Sequence, residues 1–215
     1  HDEDAKGNYY RLVDYKSNRE KEENFLIGNH FYTNIPQSNF EKIPGSPIAY
    51  WLSKSIISSF SKHKTLFQYS ISDGKNATGN NEKFLRMLWE VDKNNIGQNN
   101  HWRIYDKGGT ARKWYGNFNY LIDWSNKART HYRKDKVGRL IPEYLWDRNG
   151  ISWNWTNANN RPIFFRLHTS DKMFDAAAPT VFFEDDFGLY QILGLLNSKV
   201  SITILQILNP TLSTP

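Results

Sequence analysis

The sequence predicts an α+β fold, a mixed irregular sheet with flanking helices, and three observations carry that expectation. Ile48, Leu52, Ile56 and Phe60 recur every four residues, which puts them on one face of a helix. From about residue 66 to 185, short aromatic or β-branched runs alternate with polar, glycine-bearing segments, the pattern of short strands joined by long loops. From Phe187 to Leu208 the chain is at its most apolar, yet Gln191, Asn197, Lys199, Thr203 and Gln206 interrupt it too often for a bilayer span, so a pair of core helices is expected.

Taken in order, the first forty residues mix both charges with few apolar anchors and read as a solvated helix and linker. Ile43-Pro44-Gly45-Ser46-Pro47 reads as a turn. Ser46 stands as a helix N-cap, with proline at the first helical position and a helix running to about residue 62. Thr65–Ile71 and Ile163–Leu167 read as strands, and residues 81 to 90 leave room for a helical stretch. In Ser152-Trp153-Asn154-Trp155-Thr156 the two tryptophans stand at strand spacing, both rings on one face, and a buried sheet face is expected. Asn197-Ser198 is placed to end one tail helix and cap the next. One core is expected for 215 residues.

The hydrophobic share of 39% and charged share of 23% are ordinary for a folded soluble protein; the aromatic share of 15% is not. Aromatic rings fill cores and also stack on bases and sugars, so composition leaves both uses open. The absence of cysteine removes disulfides, thiolate metal sites and thiol nucleophiles. The acidic opening His1-Asp2-Glu3-Asp4 is unlike a signal peptide, and a cytoplasmic location is expected.

The net charge of +6 is concentrated. Residues 101 to 140 hold ten basic residues against three acids, a surplus of seven, and the rest of the chain nets to minus one. A basic block in a neutral body is the footprint of a polyanion binder, because each neutralised phosphate releases condensed counterions.

Three segments could carry recognition chemistry. The loop Asp73 to Asn81 offers two glycines, a lysine and several amides; glycine allows close backbone approach and asparagine pairs with an adenine edge, although a plain turn uses the same residues. Trp102 to Tyr120 interleaves glycines, cations and aromatics within one hairpin-sized stretch, where Trp114 or Tyr115 could stack on an exposed base; Trp102 and Trp114 are expected to turn inward. Arg129 to Lys136 continues the basic block on a helix or loop facing the same way. The candidate contacts to duplex DNA are therefore Lys75, Asn76, Thr78, Asn80, Asn81, Arg103, Lys107, Arg112, Lys113, Tyr115, Asn117, Arg129, Arg133 and Lys134. Among them Asn76, Asn80, Asn117 and Arg112 are candidates for base readout, and Lys75, Lys107, Lys113, Arg129, Arg133 and Lys134 for holding phosphates.

No residue is expected to be catalytic. The chain has no Asn/Asp-Pro-Pro-Tyr/Phe tetrapeptide to hold a flipped adenine, no glycine-rich strand-to-helix loop for S-adenosylmethionine, and no Walker loop. Asp73-Gly74-Lys75 and Glu184-Asp185-Asp186 do not complete a nuclease carboxylate–lysine set, and the six histidines show no metal-ligand spacing, so no metal or cofactor is expected here. A free-standing nuclease and a carbohydrate-binding module remain as alternatives, the second suggested by the tryptophan, tyrosine and asparagine content.

Phe40 to Trp51 resembles the junction that follows the methyltransferase domain in the PglX-type adenine-specific DNA methyltransferases of BREX phage-defence systems. Gly74 to Arg86, Lys107 to Asn117, Leu195 to Lys199 and Asn209 to Leu212 are similar to later blocks of that family in the same order. The resemblance implies a target-recognition domain over residues 43–212, preceded at 1–42 by a linker or helical end of a catalytic domain and followed by a tail at 213–215. It also implies a parent enzyme that methylates adenine N6 from S-adenosylmethionine. Its partners would be double-stranded DNA, the catalytic domain of the same polypeptide and other defence proteins, with no membrane.

Overall fold

In the computed structural model, residues 5–156, 163–184 and 188–208 are described, and the α+β expectation holds. The chain forms two compact units, residues 1–65 and 66–215, a division further along than the boundary at residue 43 drawn from the sequence.

The first unit is built on a hairpin. Strands β1 (Lys6–Tyr10) and β2 (Phe31–Pro36) pair antiparallel around helix α1 (Asn18–Leu26). α1 starts where Ser17 and Glu20 form a reciprocal capping box, which satisfies two otherwise orphaned amides. The helix expected in the first forty residues is there; the strands flanking it escape a sequence reading because their tyrosines pack on distant residues. Tyr9 stacks on Tyr50 at 4.6 Å, and the Tyr50 hydroxyl donates to the Tyr10 carbonyl at 2.8 Å. After the single helical turn α2 (Ser38–Glu41) comes α3 (Lys54–Lys62). α3 corrects the expected helix start: Ser46 lies in a turn at φ +45°, and the N-cap is Ser53, whose hydroxyl accepts from Ile56 N–H. Ile48, outside the helix, is exposed.

The second unit contains two four-stranded sheets. After a 3-10 turn at Leu66–Tyr69, β3 (Ser70–Ile71) supplies the only paired residues of the strand expected there. The helical stretch near residue 81 is one turn, α4 (Asn81–Phe84), running straight into β4 (Leu85–Met87). Then follow β5 (Trp102–Asp106), β6 (Tyr120–Asp123), α5 (Asn126–Lys134), β7 (Gly150–Ser152), β8 (Arg166–His168), β9 (Lys172–Phe174) and β10 (Thr180–Phe183). One sheet has the order β3-β10-β7-β8, all antiparallel; the other is β4-β6-β5-β9, where β9 joins β5 in parallel. Phe174 of β9 and Phe182 of β10 belong to one buried cluster, so the two sheets share a core. The tail forms the expected pair, α6 (Leu189–Leu196) and α7 (Lys199–Leu208). Buried Asn197 ends α6, donates to Phe165 O at 2.8 Å and accepts from Phe165 N–H at 3.1 Å, while the Ser198 hydroxyl accepts from Ser201 N–H. Asn209 to Leu212 and Asp185-Asp186 lie outside the described residues.

Candidate nucleic-acid interface

The segment from Lys107 to Asn119 leaves the end of β5 and returns at β6, so two paired strands fix both of its ends. Its backbone is bent by left-handed residues, including Trp114 at φ +73° and Asn117 at φ +64°. A buried network holds this irregular path. Arg166 makes a two-pronged ion pair with Asp106 at 2.7 and 2.9 Å, and Asp106 also accepts from Gly108 N–H at 3.0 Å. Arg166 donates in addition to the Asn154 side-chain oxygen at 2.8 Å, and the Asn154 amide donates to Gly109 O at 2.8 Å. Further along, Trp114 N–H donates to Phe165 O and Leu167 N–H donates to Trp114 O, which binds the loop to the edge of β8. Asp106, Asn154 and Arg166 are all buried.

A second group supports the loop from Asp175. The Tyr105 hydroxyl donates to its carboxylate at 2.9 Å, and Lys107 Nζ stands 3.2 Å from the same oxygen. Burial and the Asp175 carboxylate push the Tyr105 phenol well above its ordinary value, so it serves as a neutral donor. Lys172 is buried with Nζ lying 3.9 Å from the Phe118 ring centre and 4.7 Å from that of Tyr115. Burial lowers its ammonium below the usual lysine range, while Asp171 and Asp106 act the other way.

On its outer side the loop encloses an open cleft of about 640 Å³ whose wall includes Lys107, Arg112, Tyr115, Gly116, Asn117 and Tyr120. Arg112 and Lys113 are exposed, and neither side chain has an ion-pair or hydrogen-bond partner among the described residues. Lys113 Nζ lies 5.0 Å from the Trp114 ring centre. Trp102 is half-buried as expected, but Trp114 is 47% exposed. That corrects its inward assignment: the left-handed backbone at Trp114 commits its N–H and C=O to β8 and leaves the ring outside. Tyr115 is 62% exposed, and the Asn117 amide donates to Thr110 O at 3.2 Å, leaving its side-chain oxygen available as an acceptor.

The other sequence candidates divide by burial. Asn76, expected at the DNA surface, is buried: its amide donates to Phe174 O at 2.9 Å and accepts from Ile141 N–H at 3.0 Å, so it ties three segments together. Buried Thr78 donates to Asn81 at 2.7 Å and accepts from Asn80 N–H, and the Asn80 side chain caps α4 by accepting from Lys83 N–H. The loop's polar residues are thus turn and cap chemistry, the plain-turn alternative in the sequence, and Lys75 alone of its candidates is an exposed cation without a partner among the described residues. Arg103 is buried against Asp147 at 2.6 Å and also donates to Gln98 O. On α5, Arg129 donates to Trp124 O at 2.6 Å and is held below the usual arginine value by burial and by the Arg103 and Arg133 guanidinium groups. Arg133 pairs with Glu143 at 2.5 Å, whereas Lys134 is exposed and has no partner among the described residues.

The residues missed by sequence reasoning are Asp106, Asn154, Arg166, Lys172 and Asp175. None has a local signal. Asp106 and Arg166 are sixty residues apart, and their pairing depends on how β5 and β8 are brought together. Among the described residues no three His, Asp or Glu side chains gather as a metal site, and no helix is long and apolar enough to cross a membrane.

No protein-family profile matches the chain. It is 33% identical to the adenine-specific methyltransferase PglX of Lacticaseibacillus casei (strain Zhang), over 96% of this chain and 19% of that protein. It is likewise 33% identical to the adenine-specific methyltransferase BrxX of Escherichia coli O9:H4 (strain HS), over 95% of this chain and 17% of that protein. The resemblance read from residues 40 to 212 is borne out, and the chain spans under a fifth of the length of these curated relatives.

Proposed function

We propose, from the premise that this chain corresponds to a segment of a PglX-type adenine-specific methyltransferase, that it recognises double-stranded DNA for that enzyme. Methyl transfer would then belong to residues outside this chain. The glycines after β5 lead into an irregular loop rather than a helix start, so the described residues provide no cradle of the strand–glycine–helix kind for S-adenosylmethionine. The catalytic domain of the same polypeptide is the partner this reading requires, in a phage-defence setting inside the cell.

The observation that carries the reading is the loop from Lys107 to Asn119: unpartnered cations and exposed rings on a backbone held rigid by a buried ion pair. Flexible surface lysines would give salt-dependent attraction alone; a fixed loop also gives register on the duplex. Arg112 and Lys113 are its phosphate or guanine contacts and Asn117 its amide reader, with Lys75 and Lys134 as further candidates for phosphate contact. Asn76, Thr78 and Arg103 support the fold.

The test is the double variant Arg112→Ala plus Lys113→Ala in the full-length protein. Affinity for duplex DNA should fall, and the slope of log affinity against log salt should flatten by about one unit for each phosphate that is no longer neutralised. An unchanged affinity and slope would remove this loop from the interface. Binding to glycans that is indifferent to salt would favour the carbohydrate alternative.

A further inference from the structure

The cleft beside the loop has a feature that reading a closed duplex does not require. A stacked duplex shows a protein its base edges and phosphates, while each base face is covered by its neighbours. Yet the cleft wall carries an exposed ring, Tyr115, that is held in place from below. Its centre lies 4.4 Å from Phe118, and the buried, otherwise unpartnered Nζ of Lys172 lies 4.7 Å from it. A cation against the aromatic pair fixes the ring, and its pull on the π electrons favours stacking of an electron-rich flat ligand on the surface left open. Beside the ring stand one amide oxygen free to accept, on Asn117, and one free guanidinium, on Arg112. Gly116 is necessary to this arrangement, because a Cβ there would lie 2.9 Å from Arg112 Cγ. The cleft volume of about 640 Å³ is in the range of pockets that enclose a whole small ligand.

We infer that this cleft takes an unstacked nucleotide of the bound DNA, with its base on Tyr115, its edge at Asn117 and its phosphate at Arg112. The inference rests on the DNA reading above. The nucleotide is not the adenine that is methylated, because the described residues place no cradle for S-adenosylmethionine, the methyl donor, beside this cleft. Unstacking a paired base is costly and stacking on an aromatic side chain offsets part of that cost, so occupancy is favoured most where pairing is already absent.

That balance supplies the experiment. The full-length protein is titrated with duplexes containing its methylation site, each carrying one mismatch at a position outside the methylated base pair. One position should bind more tightly than the matched duplex, by about tenfold or more. Tyr115→Ala should abolish that gain, and Tyr115→Phe should keep it. If no mismatch tightens binding, or if Tyr115→Ala weakens matched and mismatched duplexes by the same factor, the inference is overturned while the DNA reading stands. If no duplex binds at all, both fail.

Discussion

Arg166 and Lys172 keep their charges from water in different ways. Arg166, 1% exposed, satisfies its fork on Asp106 and Asn154, while Lys172 rests on the rings of Tyr115 and Phe118. His168 is buried against two phenylalanines, with ring centres 5.6 Å from Phe174 and 5.8 Å from Phe182. Burial, reinforced by the Lys172 and Arg166 charges, holds the imidazole down at about 3, from an ordinary 6.5. Unfolding between those values takes up a proton, so the contribution of His168 to stability is complete above pH 6.5 and declines as pH falls toward 3. The decline approaches about 1.4 kcal/mol per pH unit. Denaturant midpoints from pH 7 to pH 4.5 should therefore fall more steeply for the wild type than for His168→Gln. Parallel curves would show that His168 takes up its proton alike in the folded and the unfolded protein.

At the scale of elements, the loop between β5 and β6 depends on backbone that only certain residues permit. Gly108 has φ +71°, and a Cβ there would lie 2.7 Å from Ala177 O, a backbone atom that Trp155 N–H also engages. Gly108→Ala should cost about 1–3 kcal/mol in stability, since strain and clash add. It should also displace the Gly109 carbonyl from Asn154. On the DNA-recognition proposal, discrimination between specific and non-specific DNA should then fall, while the salt slope, set by the number of cations engaged, stays nearly constant. A salt slope that dropped together with discrimination would mean that the loop had left the DNA altogether. The tail helices illustrate the converse, because Asn197-Ser198 is legible as stop and cap: N-cap chemistry is decided within three residues. The start of α3 is harder to read for a related reason. Ser46-Pro47 and Ser53 both offer cap chemistry, and the left-handed backbone at Ser46 selects the second.

For the whole molecule, among the described residues, the three clusters of buried apolar side chains all lie in the second unit, while the first unit buries only Phe40, Ile43, Ala49 and Ile57 deeply. Unequal cores should open unequally. Hydrogen exchange followed by mass spectrometry should deuterate amides of residues 5–65 faster than those of β5, β6 and β10, and equal protection would contradict the difference in burial. The sequence by itself determined the α+β class, the basic block at residues 101 to 140, the helix pair of the tail and the likeness to PglX-type methyltransferases. Each of these is a property of short windows or of their order. It also singled out the Lys107–Asn117 stretch, because glycines, cations and aromatics are adjacent there. Tertiary structure decided which of those residues face outward. Asn76 has the chemistry of a base reader and is a buried tie to Phe174, ninety-eight positions away, while Asp106 and Arg166 carry no local signal and hold the loop. The physical reason is that hydrogen-bond partners and burial are assigned by strand pairing across the chain, and no local pattern records which distant backbone will claim a given amide or carboxylate.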